Sequence, residues 1–371
     1  MRAILRALLF ATCIAGIQPT AGTAQSPHPL PAVTGAELYR HACAACHAAD
    51  GTGKSAEQLG FDIPMPDLTD CNFATREPDA DWFAVTHDGG PARGFDRMMP
   101  AFGDGLTDDE IQATLDYIRT LCTNPAWPRG ELNLPRAMFT EKAYPEDEAV
   151  WTTGAAIEGP GAVSTEFIYE KRFGVRNQIE LIVPFEFARE PGGHWNGGIG
   201  DIGLGVKRAL YHSLASGTIF SLAGEVILPT GNRERGFGAG VTRLEPFLAL
   251  GQSLPSESFV HVQAGAEIPT NDDRVDPEGF WRAAIGRSFT EGRFGRSWSP
   301  MIEVLGAREF AKGARTNWDV VPQFHVTLNT RQHVMANLAV RIPLTDADVR
   351  RTQVLVFLLL DWFDGGLLEG W

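Results

Sequence analysis

Two patterns of hydrophobic and polar positions divide the chain. Between residues 35 and 122 apolar positions recur at helical spacing. Ile111, Leu115, Ile118 and Cys122 lie near one face, and Thr107 with Glu110 three residues on reads as a capping box opening that helix. The helix is expected to pack against an earlier one around Leu38 and Tyr39. Beyond Ala149 helical spacing stops and a period of two takes over, broken by Gly/Asn/Asp/Pro clusters. Val260, Val262, Ala264, Ala266 and Ile268 face one way, and His261, Gln263, Gly265 and Glu267 the other. Ile179, Leu181, Val183, Phe185 and Phe187 oppose Gln178, Glu180 and Glu186 in the same manner.

This second region cuts into twelve strands, near 150–157, 163–173, 177–189, 199–211, 217–229, 240–254, 257–269, 279–290, 297–309, 316–329, 332–343 and 351–363. A soluble sandwich also alternates, but its apolar face points inward. The strands here are longer than the five or six residues usual in sandwiches, and their number is even. The connections also alternate in length. The set 158–162, 190–198, 230–239, 270–278, 310–315 and 344–350 is longer on average than 174–176, 212–216, 255–256, 291–296 and 330–331. These features predict an all-β antiparallel transmembrane barrel with apolar residues toward lipid and polar residues toward the lumen. The inward set is Glu180, Glu186, Asp201, Lys207, Glu225, Arg243, Glu245, Glu267, Arg282, Glu303 and Arg341, read as a hydrated lumen with ion pairs. Arg208 and Arg287 fall on the lipid face and are expected near a rim. The last strand carries an unbroken apolar run, Val354–Leu360, and the chain ends in Trp371, an aromatic end of the kind outer-membrane assembly favours.

The chain begins with Arg2 and Arg6, an apolar run from Ala7 to Ile17, and small residues with a cut expected after Ala24. That is an export signal, with Cys13 lost alongside it. Residues 123–148 carry Pro125, Pro128, Pro135 and Pro145 and read as a Pro-rich linker. The expected division is therefore signal at 1–24, helical domain at 25–122, linker at 123–148 and barrel domain at 149–371. Net charge is −14, from 32 basic and 46 acidic residues. Such a chain lacks the basic face that nucleic acid requires. The helical domain alone carries 16 acidic and 6 basic residues, a net of −10.

Cys43-Ala44-Ala45-Cys46-His47 is the C-x-x-C-H pattern of covalent haem attachment. Two thiols add to the two vinyl groups of the haem, and the next residue presents an imidazole to iron. A zinc pair would need further ligands, and no second C-x-x-C is present. A redox dithiol would not need the adjacent histidine. Met98-Met99-Pro100 supplies the sixth-ligand candidate, since a thioether opposite His47 favours ferrous iron. His41 and His87 are rival ligands, with a solvated or structural role as the alternative for each. Cys71 and Cys122 remain as a candidate disulfide in an exported chain.

Residues 35–122 resemble a class I cytochrome c, through Cys43–His47, Gly51-Thr52-Gly53, Met99-Pro100-Ala101-Phe102 and Tyr117-Ile118-Arg119. The resemblance implies Met99 as the axial ligand, with Met98 as the alternative. The strand Gly200-Asp201-Ile202-Gly203-Leu204-Gly205-Val206-Lys207 resembles one found in transporter-like outer-membrane proteins named for a phenol-degradation pathway.

Together these readings lead to electron transfer by one haem c, bound through two thioethers and held at the periplasmic face of the outer membrane. The alternative is a channel for small solutes with the cytochrome as redox or docking module. A Met-ligated iron leaves no open position, so an enzyme is not expected. The expected partners are a redox protein with a basic face or a small redox molecule, and outer-membrane lipid. The haem domain is expected at or below the periplasmic mouth, being too wide for the lumen.

Overall fold

The computed structural model describes residues 33–63, 65–159, 161–190 and 192–362. The export signal with its Ala24 cut, Cys13 and the terminal Trp371 lie outside the described residues.

A helical part comes first. Its opening run, 35–47, joins Gly35–Leu38, a π-helical turn Tyr39–Cys43 and Ala44–His47. Short helices Ala56–Leu59 and Cys71–Ala74 follow, then α1, Asp79–Asp88, and α2, Asp108–Leu121. The Thr107/Glu110 capping box starts α2. Ile111, Leu115 and Ile118 of α2 form one core with Tyr39, Cys43 and Leu68, as the spacing predicts. A Cβ at Gly35 would collide with the backbone of Ala113, so glycine lets the first run cross α2 closely. No helix among the described residues is long and apolar enough to cross a membrane.

Twelve antiparallel strands follow. They are β1 Asp147–Ala156, β2 Ala162–Phe173, β3 Asn177–Arg189, β4 Ile202–Ser213 with a short forerunner Trp195–Ile199, β5 Thr218–Leu228 and β6 Arg243–Leu254. Then come β7 Ser258–Pro269, β8 Glu278–Arg287 with a short extension Phe289–Thr290, β9 Ser297–Glu309, β10 Asn317–Thr327, β11 Val334–Pro343 and β12 Gln353–Asp361. Each pairs with its sequence neighbour, and β1 pairs with β12, so the sheet closes. Closure leaves no free edge, which separates this barrel from a sandwich. The alternation has the expected sense. Leu204, Val206, Leu222, Leu248, Ile285, Ile302, Leu338 and Val356 are exposed on the outside, while Gln178, Lys207, Gln263, Glu303, Asp319 and Asn337 are buried within. Arg287 ends β8, near a rim as expected, whereas Arg208 lies midway along β4 and bonds Asn177 at the first residue of β3.

The Pro-rich stretch joins the two parts, but its path runs through the barrel. Residues 126–146 form a loop inserted into the lumen. It enters beside β2 and β3, where Arg176 donates to Ala126 O and Arg172 lies over Trp127. It returns at Glu146, whose N–H donates to Gln178. Its limbs are tied by Tyr144 Oη to Pro128 O, Lys142 Nζ to Asn133 and Asn133 Nδ2 to Glu146. The wall holds it from many sides. Glu303 accepts from Phe139 N (3.1 Å), Thr140 N and Thr140 Oγ1 (2.6 Å), while Lys207 donates to Lys142 O (2.9 Å). His261 meets Pro135 O, Ser221 meets Ala143 O, and Arg282 meets Phe139 O.

The expected hydrated lumen is thus corrected. The loop side of it is a packed interior in which Leu132 and Tyr144 meet Ala209, Ile219, Phe247 and Phe280, and Leu134 and Ala137 meet Phe259 and Met301. The apolar run in β12 has the same cause. Val354, Val356 and Leu358 face out, while Leu355, Phe357 and Leu359 face Met138 and Phe139 of the loop or their neighbours.

Arg136 pairs with Glu148 (2.6 Å), Glu141 (3.0 Å) and Glu170 (3.1 Å), and all but Glu141 are fully buried. Arg136→Ala would strand buried carboxylates, a change that costs about 3–5 kcal/mol. Urea unfolding of the full-length protein in detergent is expected to show that loss, with the barrel's heat-induced gel shift moving to lower temperature.

Candidate functional site

Cys43 and Cys46 sit three residues apart on the 35–47 run, so they share a face. Neither is in a disulfide. Cys43 is buried, which pushes its thiol up to about 11, aided by the charge of Cys46. His47 ends the run. Burial lowers its pKa and favours the neutral, ligand-competent imidazole. Its Nδ1 is buried without a hydrogen-bond partner.

The segment after His47 is fixed by backbone bonds. Gly53 N–H donates to His47 O and Lys54 N–H to Cys46 O, both at 3.0 Å, and Tyr39 Oη donates to Ala48 O at 2.8 Å. Gly51 and Gly53 take positive φ (88° and 78°), and a Cβ on either would press on Leu121 or Met65. The Gly51-Thr52-Gly53 stretch is thus a tight return that side chains would block.

Met99 lies in a loop held by Gly89 and Gly90, with Gly90 N–H donating to Met99 O (3.0 Å) and Phe102 N–H to Thr86 O (3.0 Å). Met99 is half-buried, while Met98 is 48% exposed. His41 is exposed. His87 stands at the barrel contact. Its Nδ1 meets Asp88 (2.5 Å), its Nε2 faces Arg293 (3.4 Å), and its ring stacks on Phe83. Cys71 and Cys122 form a disulfide with Cα atoms 5.0 Å apart, tying the middle of the helical part to the end of α2.

These residues fit a haem attached through two thioethers. Two free thiols share a helical face, an imidazole follows directly, and its second nitrogen is a buried orphan. The helical part, at residues 31–118, matches the family model described as cytochrome C oxidase, cbb3-type, subunit III. It is a cytochrome c domain. The match stops well short of the barrel. No curated protein matches the chain. Among solved structures it is similar to an outer membrane channel from Pseudomonas putida F1, at 12% identity over 62% of this chain and 100% of the other, with a TM-score of 0.45. It is also similar to the NanC porin (6% identity, 58% and 98% covered, TM-score 0.41) and the KdgM porin (9%, 58% and 99%, 0.39). The strand pairing, and not these distant likenesses, establishes the barrel.

The cytochrome domain docks on the barrel end that carries the short turns 174–176, 214–217, 255–257, 291–296 and 328–333. Phe294 packs on Phe83 and His87, and its carbonyl accepts from Arg93 (2.7 Å). Arg293 pairs with Asp108 (2.6 Å), Arg331 lies over Phe95, and Arg76 pairs with Asp147 at the start of β1 (2.6 Å). Sequence reading did not identify this interface. Its only trace is Arg293-Phe294 and Arg331 on turns where small polar residues would suffice.

At the other end lies a cavity of about 530 Å³. Its floor is the loop tip, Arg136, Met138, Phe139 and Glu141, and its walls carry Glu166, Glu180, Glu186, Asp201, Glu225, Glu245, Arg243 and Arg282. Nine of the eleven inward residues expected from sequence therefore face this cavity or its rim, or hold the loop: Glu180, Glu186, Asp201, Lys207, Glu225, Arg243, Glu245, Arg282 and Glu303. Glu267 pairs with Arg243, Glu303 binds the loop, and Arg341 pairs with Asp319. Asp201 also staples the long connection 229–242, accepting from Gly231 N–H (3.0 Å) and Ala239 N–H (2.8 Å).

The disulfide closes a loop of 51 residues. Replacing both cysteines by serine is expected to cost about 4 kcal/mol, read as earlier urea unfolding of the helical circular-dichroism signal.

Proposed function

We propose that this chain is an electron carrier of the outer membrane, with one haem c covalently held on Cys43 and Cys46 and the iron ligated by His47 and Met99. The observation that carries this reading is the free Cys43/Cys46 pair followed by His47 with its orphaned Nδ1. When bound, the haem supplies a one-electron couple. The protein's own residues attach it, present the imidazole, and hold the Met99 loop against Gly89 and Gly90. Met99 is preferred to Met98 because it is turned in while Met98 faces solvent. His87 is set aside because protein groups engage both of its ring nitrogens.

The barrel is the anchor. Its apolar outer belt matches a bilayer interior, and its polar inner face matches a transmembrane barrel. Short turns face the periplasm in such barrels, and docking at the short-turn end supports a periplasmic position for the haem domain. Kinship with the phenol-pathway transporter-like family rests on the Gly200–Lys207 strand. In the channel reading a solute would cross the lumen, and the 126–146 loop would have to leave it first. The domain's charge of −10 suits a redox partner with a basic face, or a small redox molecule.

A single gel tests both halves. Outer-membrane protein is run with and without boiling and stained for haem peroxidase activity. A full-length haem band that shifts on heating is expected, and an unshifted band in the soluble periplasmic fraction would remove the anchor. Met99→Ala is expected to abolish the low-spin Met signature and lower the potential, while Met98→Ala leaves both intact. The reverse pattern would move the ligand to Met98. Partner reduction rates are expected to fall as ionic strength rises from about 10 mM to 150 mM, where the screening length drops from about 30 to 8 Å. Rates insensitive to salt would contradict the basic-faced partner.

A further inference from the structure

Met99 sits on the connection 89–107 between α1 and α2. Its buried positions among the described residues are Gly89, Gly90 and Arg93, none of them an apolar side chain. Leu106, at its far end, is half-buried against the helical core. A segment with so little buried apolar contact is prone to local opening when it stands by itself. Its own bonds fold it back on α1, with Phe102 N–H donating to Thr86 O (3.0 Å) and Gly103 N–H to His87 O (2.9 Å).

Two turns of the barrel grip this connection and its flanks. On the turn 291–296, Phe294 O accepts from Arg93 (2.7 Å), and the Phe294 ring lies 6.0 Å from Phe83 and 5.6 Å from His87. Arg293 of the same turn pairs with Asp108, the first residue of α2 (2.6 Å). On the turn 328–333, Arg331 lies 4.4 Å over the Phe95 ring and donates to Gly94 O (3.3 Å). Gln332 Nε2 donates to Gly295 O (3.4 Å), which ties the two turns to each other.

These grips lead to Met99 from both sides. Before it, Phe95 N–H donates to Gly90 O (2.9 Å) and Gly90 N–H donates to Met99 O (3.0 Å), so Arg331 on Phe95 is two hydrogen bonds from the Met99 backbone. After it, the chain returns past His87 so closely that a Cβ at Gly103 would sit 2.5 Å from His87 Cε1. Phe294 packs on that same imidazole. The barrel thus holds the connection at Arg93–Phe95, at His87 and at Asp108, and Met99 lies in the span between.

We propose that Phe294 and Arg331, with Arg293 beside them, are positioning residues for the axial thioether: the two barrel turns hold the Met99 loop closed, acting through His87, Arg93 and Phe95. The proposal rests on Met99 as the ligand. The barrel is then part of the redox site as well as its anchor. Loosening either grip lets the loop open more often and the thioether leave the iron. Thioether ligation favours ferrous iron, so a looser loop lowers the potential.

The test uses full-length, haem-loaded protein in detergent. Phe294→Ala and Arg331→Ala are compared with the parent and with Ala215→Ser, an exposed position on another short turn. Three quantities are read: the reduction potential, the temperature at which the absorption band of ferric Met ligation is lost, and hydrogen exchange at the Met99, Phe102 and Gly103 amides. Both Ala variants are expected to lower the potential and the band's temperature and to speed that exchange by about tenfold, the worth of one aromatic or cation–π contact. Ala215→Ser changes none of the three, and Phe294→Tyr, which keeps the ring, restores them. Because Phe294→Ala removes no charge, its lower potential reports the ligand and not the field at the iron. Exchange at Ile111 and Leu115 in α2 stays as in the parent. Parent-like potential, band and exchange in both Ala variants would overturn the proposal. So would exchange that rises equally at Ile111 and Leu115, which would make the turns a general brace of the helical part. A parent protein without the Met band would instead remove Met99 as the ligand, and the proposal with it.

Discussion

The structure depends on how a twelve-strand barrel fills its own interior. Eight strands leave a lumen that side chains nearly occupy, and twelve leave much more. Here the space is filled by the chain that leads into the barrel. The 126–146 loop brings Leu132, Leu134, Met138, Phe139 and Tyr144 against inward apolar residues, and Arg136 and Lys142 against inward carboxylates. Each side explains the other. Buried Glu148 and Glu170 are tolerable because Arg136 meets them, and Arg136 is tolerable inside because three carboxylates surround it.

The loop also couples the two parts. Its entry lies where the haem domain docks, and its exit becomes β1 without a break. Arg76 of the helical part reaches Asp147 on the first residue of that strand, while Arg293 and Phe294 clasp the helical part from a turn. Displacing the loop would therefore disturb the docking end of the barrel, and the cytochrome is seated on the plugged side. The arrangement is a helical head seated on a barrel whose lumen the loop fills. A polar cavity remains above the loop tip, floored by Arg136, Met138, Phe139 and Glu141.

Much of this was legible along the chain. Haem attachment needs two thiols and an imidazole at a spacing one helical turn supplies, so Cys43, Cys46 and His47 are local and readable. The barrel is a repeated local pattern, and its sense of alternation followed from which side of each strand was polar. The Cys71–Cys122 bridge followed from counting thiols in an exported chain. The strand ends drifted by a few residues, and residues 195–198, expected in a connection, belong to the short strand Trp195–Ile199 paired with β3.

The sequence by itself determined the C-x-x-C-H pattern, the twelve strands and which side chains point inward, because each depends on spacing within a few residues. Only the tertiary structure decided what the inward side chains face. Composition made residues 123–148 a linker, since prolines exclude regular structure whether a segment is solvated or buried. That it is buried depends on pairings such as Arg136 with Glu170 and Thr140 with Glu303, which lie 34 and 163 residues apart. The facing carboxylates Glu148, Glu170 and Glu180 are of the same kind, because they come from three strands and become neighbours only when hydrogen bonding sets the register.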